Sequence, residues 1–328
     1  MFALKLESNK SKHNKGLLIM GNSNSKLMGI ILAGGEGVRL QRFSTQVYGY
    51  HRPKQYCTFT GTRSMFKHTV DRVTMLIPQK RLLAVVNIDH NDYVKEELKE
   101  SPELKIVEQP CLRDTGAGIL FPLLKIESIS PSATVAIFPS DHFVLGEKRF
   151  MEHVRKATLF VEENPMSIVM LGICPQKIEE GYGWIEPARE FYSDGETKIF
   201  NVKRFIEKPD NSIIKNLLSN GCLINTFVMV GRCTAFIKYI NQCLPELTGS
   251  FQPIRNKFGT SLEEITIRKF YKYLPSFNFS KSVLEKIPNN LKVLKVNNVY
   301  WSDWGDEHRI TKDIVGMNMI PEDSVLAV

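Results

Sequence analysis

The sequence predicts an α/β fold in which a mostly parallel central sheet is flanked by helices. Short apolar runs rich in Ile, Val and Leu alternate with amphipathic segments through the first 175 residues. Such alternation is typical of strand–helix–strand units, whose strands pair in parallel. Apolar residues make up 43% of the 328 residues and charged residues 24%, values that exclude a wholly disordered, collagen-like or coiled-coil chain.

The individual elements are predicted from local pattern. Strands are assigned to short apolar runs, and helices to segments in which apolar residues recur every three or four positions. The predicted strands are 28–33, 81–87, 105–108, 134–138, 167–173, an isolated strand at 202–206, and 291–296. The predicted helices are 64–77, which ends at Pro78, then 91–100, 115–126 and 150–163.

Positive charge is concentrated at the start of the chain. The formal net charge is +8, but residues 1–28 hold five lysines against one glutamate. The segment 1–27 is therefore predicted to be a basic, disordered extension, followed by a core at 28–250 and a segment at 251–328 that completes the same domain. No basic stripe interleaved with aromatic residues occurs, so nucleic acid is not an expected partner. Binding of nucleic acid through the extension alone stays an alternative, which deletion of residues 1–27 would test.

The six cysteines form no CxxC pair and show no zinc-site spacing to a histidine. Most of them lie inside apolar runs, which predicts buried free thiols in a reducing compartment, and therefore a cytoplasmic location. No apolar run approaches the roughly 20 residues that a membrane-spanning helix needs, so no membrane segment is expected.

A glycine-rich loop follows the first predicted strand. Its sequence is Leu32-Ala33-Gly34-Gly35-Glu36-Gly37-Val38-Arg39. Glycines let the backbone approach a phosphate closely, and Arg39 can offer paired donors to phosphate oxygens. The pattern is neither the G-x-G-x-x-G of dinucleotide-binding folds nor a Walker A loop. Taken alone, the loop also fits a tight strand-to-helix turn.

Four further motifs place charged side chains next to proline, glycine or a strand end. They are Arg52-Pro53-Lys54-Gln55, Pro139-Ser140-Asp141-His142, Glu207-Lys208-Pro209 and Trp301-Ser302-Asp303-Trp304-Gly305. A carboxylate at a strand end is a good magnesium ligand, because hard cations prefer oxygen. Taken singly, each motif has an ordinary structural explanation, such as a surface lysine, a helix N-cap or a turn.

The order of these motifs resembles that of the sugar-1-phosphate nucleotidyltransferases, and in particular their mannose-1-phosphate guanylyltransferase branch. The similarity extends from about residue 29 to about residue 310 and includes Gln109-Pro110, Arg113-Asp114-Thr115 and the segments 181–186 and 223–231. It implies a Rossmann-like nucleotidyltransferase core with a sugar-binding lobe. The implied reaction joins a nucleoside triphosphate, in that branch GTP, to a sugar 1-phosphate, there mannose 1-phosphate, and releases pyrophosphate with the help of Mg²⁺. The family also suggests a homodimer.

The resemblance implies a role for each matching residue. Arg39, Lys54 and Lys208 would be the catalytic cations, and Asp141 and Asp303 would bind Mg²⁺. The nucleotide would contact Leu32, Ala33, Gly34, Gly35, Gly37, Gln109 and Thr115, with Gln109 at the base edge. The sugar phosphate would contact Gly183, Glu207, Lys208 and Asn225.

Three departures from the family pattern bear on specificity. Val38 replaces the usual threonine, the segment 43–52 is longer by four residues, and Asn225-Thr226-Phe227 replaces the usual N-S-G. The longer segment is expected to be a loop that reshapes the phosphate lid, and the third change alters the sugar pocket. Two alternatives therefore stay open, namely another pair of substrates and a catalytically silent relative that regulates a partner enzyme. The joint presence of Arg39, Lys54, Asp141, Lys208 and Asp303 favours activity.

Overall fold

A computed structural model describes residues 27–175 and 180–317. Its strands are β1 Leu27–Ala33, β2 Leu82–Asn87, β3 Lys105–Gln109, β4 Thr134–Pro139, β5 Phe143–Leu145, β6 Ile168–Ile173, β7 Gly183–Asp194, β8 Thr197–Glu207, β9 Leu223–Arg232, β10 Leu291–Val296 and β11 Tyr300–Ser302. Its α-helices are α1 Gln41–Tyr48, α2 Met65–Thr74, α3 Asn91–Leu98, α4 Asp114–Ile129, α5 Glu147–Glu163, α6 Asn211–Ser219, α7 Cys233–Cys243, α8 Pro245–Ser250, α9 Gln252–Arg255, α10 Glu263–Phe270, α11 Phe279–Ser282 and α12 Glu307–Gly316.

Nine strands form the central sheet, in the order β3-β2-β1-β4-β9-β6-β10-β8-β7. Strands β1 to β4 pair in parallel, as do β6 and β10, whereas β9 runs antiparallel to both of its neighbours β4 and β6. Strands β1 to β4, β6 and β10 therefore all point in one direction. This confirms the predicted α/β class with a mostly parallel central sheet.

Helices cover both faces of this sheet, which explains why its strands are almost continuously apolar. Helices α4 and α7 contribute apolar side chains to one large core cluster, and helices α2 and α5 contribute to a second. Strands β1, β2 and β4 are buried along nearly their whole length. These strands could be predicted from apolar runs because parallel strands are buried on both faces. The bounds predicted for them are confirmed to within one or two residues.

Two local predictions are wrong. The strand predicted as isolated at 202–206 is the 11-residue β8, which forms a long hairpin with β7. The outer half of β7 is exposed and mixes polar residues with Phe191 and Tyr192, so it has no regular apolar pattern to reveal it. The segment 43–52, predicted as a loop, is helical up to Tyr48 because Phe43 and neighbouring residues pack into a small third core cluster.

The structure also bears on the predictions made for the two ends of the chain. Of the predicted extension, only Leu27 lies among the described residues, and it begins β1. Strand β10 comes from the segment 251–328 and pairs with β6 and β8, while the boundary at residue 250 stays a prediction.

All six cysteines are free thiols, but Cys174 is exposed rather than buried. Among the described residues no helix is long and apolar enough to cross a bilayer.

Candidate active site

A cavity of about 630 Å³ opens where strands β1 and β4 end. One side, here called the glycine-loop wall, consists of the loop 34–39 together with Asp141 and Asp303. A second group of lining residues, here called the hairpin wall, consists of Gly183, Glu207, Lys208 and Asn225. All the predicted site residues line this cavity except Ala33 and Lys54, which lie directly behind the glycine-loop wall. The fold therefore brings together residues that are up to 271 positions apart, from Leu32 to Asp303.

The carbonyl groups of the glycine loop are bound by protein donors. The Gln55 amide donates to the carbonyl oxygens of Ala33 and Gly35, each at 2.9 Å. The Ser140 hydroxyl donates to the Leu32 carbonyl oxygen at 2.7 Å. Gln55 belongs to a motif that the sequence singled out for Lys54, but its own role was missed. These bonds fix the loop conformation before any ligand binds.

Gly37 is required by the local geometry. Its φ of 64° is left-handed, and a Cβ placed on it would lie 2.9 Å from the backbone nitrogen of Lys54. On the other side of the loop, Asn87 donates to the Glu36 carboxylate at 2.9 Å, and His51 Nε2 lies 3.1 Å from the Glu36 carbonyl oxygen. Helix α1 and its following segment, including His51, thus support the loop from outside.

Lys54 is buried between the two predicted magnesium ligands. Its Nζ donates to Asp141 Oδ2 at 3.0 Å and to the main-chain carbonyl oxygen of Asp303. The lysine side chain is only 6% exposed, whereas the Asp141 side chain is 36% exposed and reaches the cavity. Arg39 is 69% exposed, and its Nη2 lies 3.8 Å from Asp303 Oδ2. The wall therefore alternates positive and negative groups.

Both carboxylates are held in the ionised form. Burial would raise the pKa of Asp141, but the charges of Lys54 and His142, together with the hydrogen bond from Lys54, hold this pKa below its usual value. Burial would likewise raise the pKa of Asp303, but the charges of His142 and Lys54 hold it below its usual value. Two ionised carboxylates on one cavity can bind a divalent cation at neutral pH.

The residues present fit a magnesium ion that shares its ligands with a polyphosphate. Lys54 binds only Oδ2 of Asp141, and a Cβ on Gly305 would lie 2.5 Å from Asp303 Oδ2, so the glycine leaves room beside that oxygen. Within the described ranges no group of three or more His, Cys, Asp or Glu side chains could hold a metal alone. That combination suits Mg²⁺, which is usually bound by one or two carboxylates together with substrate phosphates.

The hairpin wall is fixed mainly through its backbone. The N–H of Glu207 donates to the Glu285 carboxylate at 2.8 Å, and the N–H of Lys208 donates to the Tyr182 carbonyl oxygen at 3.0 Å. Lys208 has a φ of 50°, while its side chain is 58% exposed with Nζ 3.4 Å from Glu207 Oε1. Burial raises the pKa of Glu207, which Lys208 only partly offsets.

Two small features shape the rest of this wall. A Cβ on Gly183 would lie 2.6 Å from the Phe205 ring and 2.9 Å from Glu207 Oε2, so only glycine fits beside that carboxylate. Asn225 is buried, and its Oδ1 accepts from the N–H of Phe227 at 3.1 Å. This bond stabilises the left-handed backbone of Phe227, whose φ is 62°.

The two remaining predicted nucleotide contacts are partly engaged within the protein. Gln109 Oε1 accepts from the Tyr271 hydroxyl at 2.7 Å, and its Nε2 would lie 2.5 Å from a Cβ on Gly34. The Thr115 hydroxyl accepts from the N–H of Phe279 at 2.8 Å. Gln109 therefore turns its amide nitrogen towards the glycine loop, while Thr115 supports the cavity floor.

Comparison with known proteins agrees with this geometry. A family model described as nucleotidyl transferase matches residues 28–313. Mannose-1-phosphate guanylyltransferase 2 of Escherichia coli O157:H7 is 25% identical over 86% of this chain, and mannose-1-phosphate guanylyltransferase of Salmonella muenchen is 26% identical over 86% of it. The chain covers 59% and 58% of the lengths of these relatives.

The fold is also found among solved structures. The crystal structure of mannose-1-phosphate geranyltransferase from Thermus thermophilus superimposes with a TM-score of 0.70 at 21% identity, over 87% of this chain and 79% of that one. At this identity the likeness establishes the shared fold, and the assignment of a reaction has to rest on the cavity and its residues.

Proposed function

Because the chain belongs to the nucleotidyl transferase family, whose model covers residues 28–313, we propose that it transfers a guanylyl group from GTP to mannose 1-phosphate and releases pyrophosphate. One observation carries this proposal: buried Lys54, flanked by Asp141 and Asp303, lies behind the glycine loop of a cavity that exposed Lys208 also lines. The choice of guanine and mannose rests on the names of the relatives that are about 25% identical.

The chemistry of this transfer explains why the cavity contains cations and carboxylates. A sugar 1-phosphate oxygen is already ionised, so it can attack the α-phosphorus of the triphosphate without a general base. What the reaction requires is alignment of two polyanions and neutralisation of charge on the departing pyrophosphate. Groups of fixed charge on the two walls meet both requirements.

Each cation has a place in this scheme. Arg39, exposed at the end of the glycine loop, is proposed to bind the β- and γ-phosphates with its planar donors. Lys54 is held rigidly and is proposed to act at the α-phosphate or the leaving group. Lys208 is proposed to bind the phosphate of the acceptor, with Glu207 and Asn225 at the sugar hydroxyls.

Asp141 and Asp303 are proposed to hold Mg²⁺. When bound, the ion would supply positive charge to the phosphate oxygens of the nucleotide. The protein's contribution is to keep both carboxylates ionised and fixed, and the charge of Lys54 contributes to this for each of them. A homodimer and a cytoplasmic location stay predictions from the sequence.

The proposal is tested by measuring pyrophosphate release for four nucleoside triphosphates against several sugar 1-phosphates, with Mg²⁺ present. Release with GTP and mannose 1-phosphate is expected. If pyrophosphate is released only with dTTP or UTP and glucose 1-phosphate, the assignment of guanine and mannose is wrong, while the assignment of nucleotidyl transfer stands. Release in no combination would support the silent regulatory relative instead.

A substitution links any observed activity to this cavity. Asp141→Asn keeps an oxygen acceptor near Lys54 but removes the negative charge, so turnover should fall to background while the thermal unfolding midpoint changes little. The matched control is Asp92→Asn on helix α3, an exposed aspartate far from the cavity, which should leave turnover unchanged. Wild-type turnover in Asp141→Asn would show that the cation is bound elsewhere.

A further inference from the structure

Arg309, on helix α12, contacts the aspartate that is proposed to bind the metal. Its Nη1 donates to Asp303 Oδ1 and to the Tyr182 hydroxyl oxygen, and its Nη2 lies 3.4 Å from Asp306 Oδ2. The guanidinium group also lies over the Tyr182 ring, 5.0 Å from its centroid. The Arg309 side chain is 16% exposed. No sequence motif pointed to this arginine.

The two oxygens of Asp303 are in different environments. Oδ1 accepts from three donors, namely Arg309, the Tyr182 hydroxyl at 2.9 Å and the N–H of Gly305 at 3.0 Å. A carboxylate oxygen has about two lone-pair sites, so three donors saturate it. Oδ2 lies beside cavity-lining Arg39 at 3.8 Å. Only Oδ2 is therefore available to a ligand in the cavity.

Helix α12 is attached to the turn that carries Asp303, which keeps Arg309 in register with it. The Asp306 carboxylate caps the helix by accepting from the N–H of Arg309 at 2.9 Å. One turn further along, buried Asp313 accepts from the Trp304 indole at 2.9 Å and from the Tyr300 hydroxyl at 2.6 Å. Both contacts join the helix to the segment 300–304, on either side of Asp303.

We propose that Arg309 is a positioning residue that, together with Tyr182, fixes Asp303 Oδ1 so that this carboxylate offers Oδ2 alone to the cation accompanying the nucleotide. The proposal rests on the proposed function, since it concerns the same cation. Groups that orient a metal ligand typically change metal affinity by about 10- to 100-fold when they are replaced. Arg309 would thus act on the metal through Asp303 without touching substrate.

The test measures binding of Mn²⁺, as a paramagnetic substitute for Mg²⁺, by electron paramagnetic resonance in the presence of the α,β-methylene analogue of GTP. Arg309→Lys keeps the charge but loses the forked contacts and the stacking on Tyr182. We expect it to need about tenfold more Mn²⁺ for half-saturation than wild type. Tyr182→Phe, which loses only the hydroxyl, should need several-fold more. The matched control is Arg255→Lys, whose partner Glu127 lies away from the cavity.

Combining the substitutions sharpens the test. If Arg309 and Tyr182 act on the same oxygen, the double variant should lose less than the product of the two single losses. A merely structural role would lower the thermal unfolding midpoint of Arg309→Lys while leaving Mn²⁺ half-saturation at the wild-type value, and that result would overturn the proposal. Failure of the wild-type protein to bind Mn²⁺ with the nucleotide analogue and to release pyrophosphate would overturn the proposed function as well.

Discussion

Lys54 and Lys208, which belong to the two walls of the cavity, are held in opposite ways. Lys54, behind the glycine-loop wall, is 6% exposed and has two oxygen partners, whereas Lys208 on the hairpin wall is 58% exposed and lies near one carboxylate. Because Lys54 is buried and paired, it contributes to the stability of the fold as well as to the site. Lys208 is anchored by its backbone N–H and has one carboxylate near its exposed ammonium group, which can therefore adapt to a ligand.

The difference shows which contacts keep each wall in place. On the glycine-loop wall, short contacts with Lys54 keep Asp141 and Asp303 in place before a ligand arrives, which is what stabilisation of developing charge requires, while Arg39 stays exposed. On the hairpin wall, two left-handed backbone positions, Lys208 and Phe227, fix the chain, while the Lys208 side chain stays accessible. We therefore expect replacement of buried Lys54 to affect folding and turnover together, and replacement of exposed Lys208 to affect binding alone.

The largest effect is expected for Lys54→Met. This change leaves Asp141 and the Asp303 carbonyl without their cation, so turnover should fall by about 10³-fold. The free energy of unfolding should fall by about 2–3 kcal/mol, less than for a fully buried pair because Asp141 reaches solvent. Steady-state kinetics and chemical denaturation measure both quantities. The control is Lys67→Met, which removes a lysine paired with Asp71 outside the cavity and should reduce stability only.

A smaller and separable effect is expected for Lys208→Met. Loss of a charge-assisted contact should lower kcat/KM for the sugar phosphate by about 10- to 100-fold. The free energy of unfolding should stay within about 0.5 kcal/mol of wild type because the side chain is exposed. Lys203→Met, on strand β8, which ends just before Lys208, is the matched control; Lys203 is 64% exposed, and its replacement should keep wild-type kinetics. An equal loss of stability in Lys54→Met and Lys208→Met would contradict the contrast between the walls.

Gly183→Ala should produce an intermediate disturbance on the hairpin wall. The added Cβ would contact the Phe205 ring and Glu207 Oε2, so Glu207 must move. We expect KM for the sugar phosphate to rise by about tenfold and KM for the triphosphate to stay unchanged, together with a stability loss of about 1–3 kcal/mol. Gly249→Ala, where an added Cβ meets nothing within 4 Å, serves as the control. A rise in the triphosphate KM instead would show that the walls are not independent.

The smallest effect concerns pH. Because the pKa values of Asp141 and Asp303 are lowered below the usual range of aspartate, both stay ionised and should not limit activity between about pH 5 and 8. An acid limb of kcat/KM near pH 6 should instead follow the second ionisation of the acceptor phosphate. A fluorinated sugar 1-phosphate, whose phosphate is more acidic, should move this limb to lower pH. A limb that does not move would assign it to a protein group.

The sequence was sufficient for most of the core fold. Apolar runs at 28–33, 81–87 and 134–138 identified β1, β2 and β4, because strands buried on both faces must be apolar throughout. It was insufficient for β7, whose outer half is solvated and carries no apolar periodicity. The same reasoning explains the error at 43–52, since α1 buries only a narrow face.

The sequence by itself determined which chemical groups the site contains, because glycine, lysine and aspartate motifs in a fixed order can be recognised without a structure. Only the tertiary structure decided how these groups act on one another. Burial of Lys54 between Asp141 and Asp303, and the contact of Arg309 with Asp303 through a helix that no motif marks, depend on packing between distant segments. Charge interactions of this kind depend on distance and burial, which residue order does not specify.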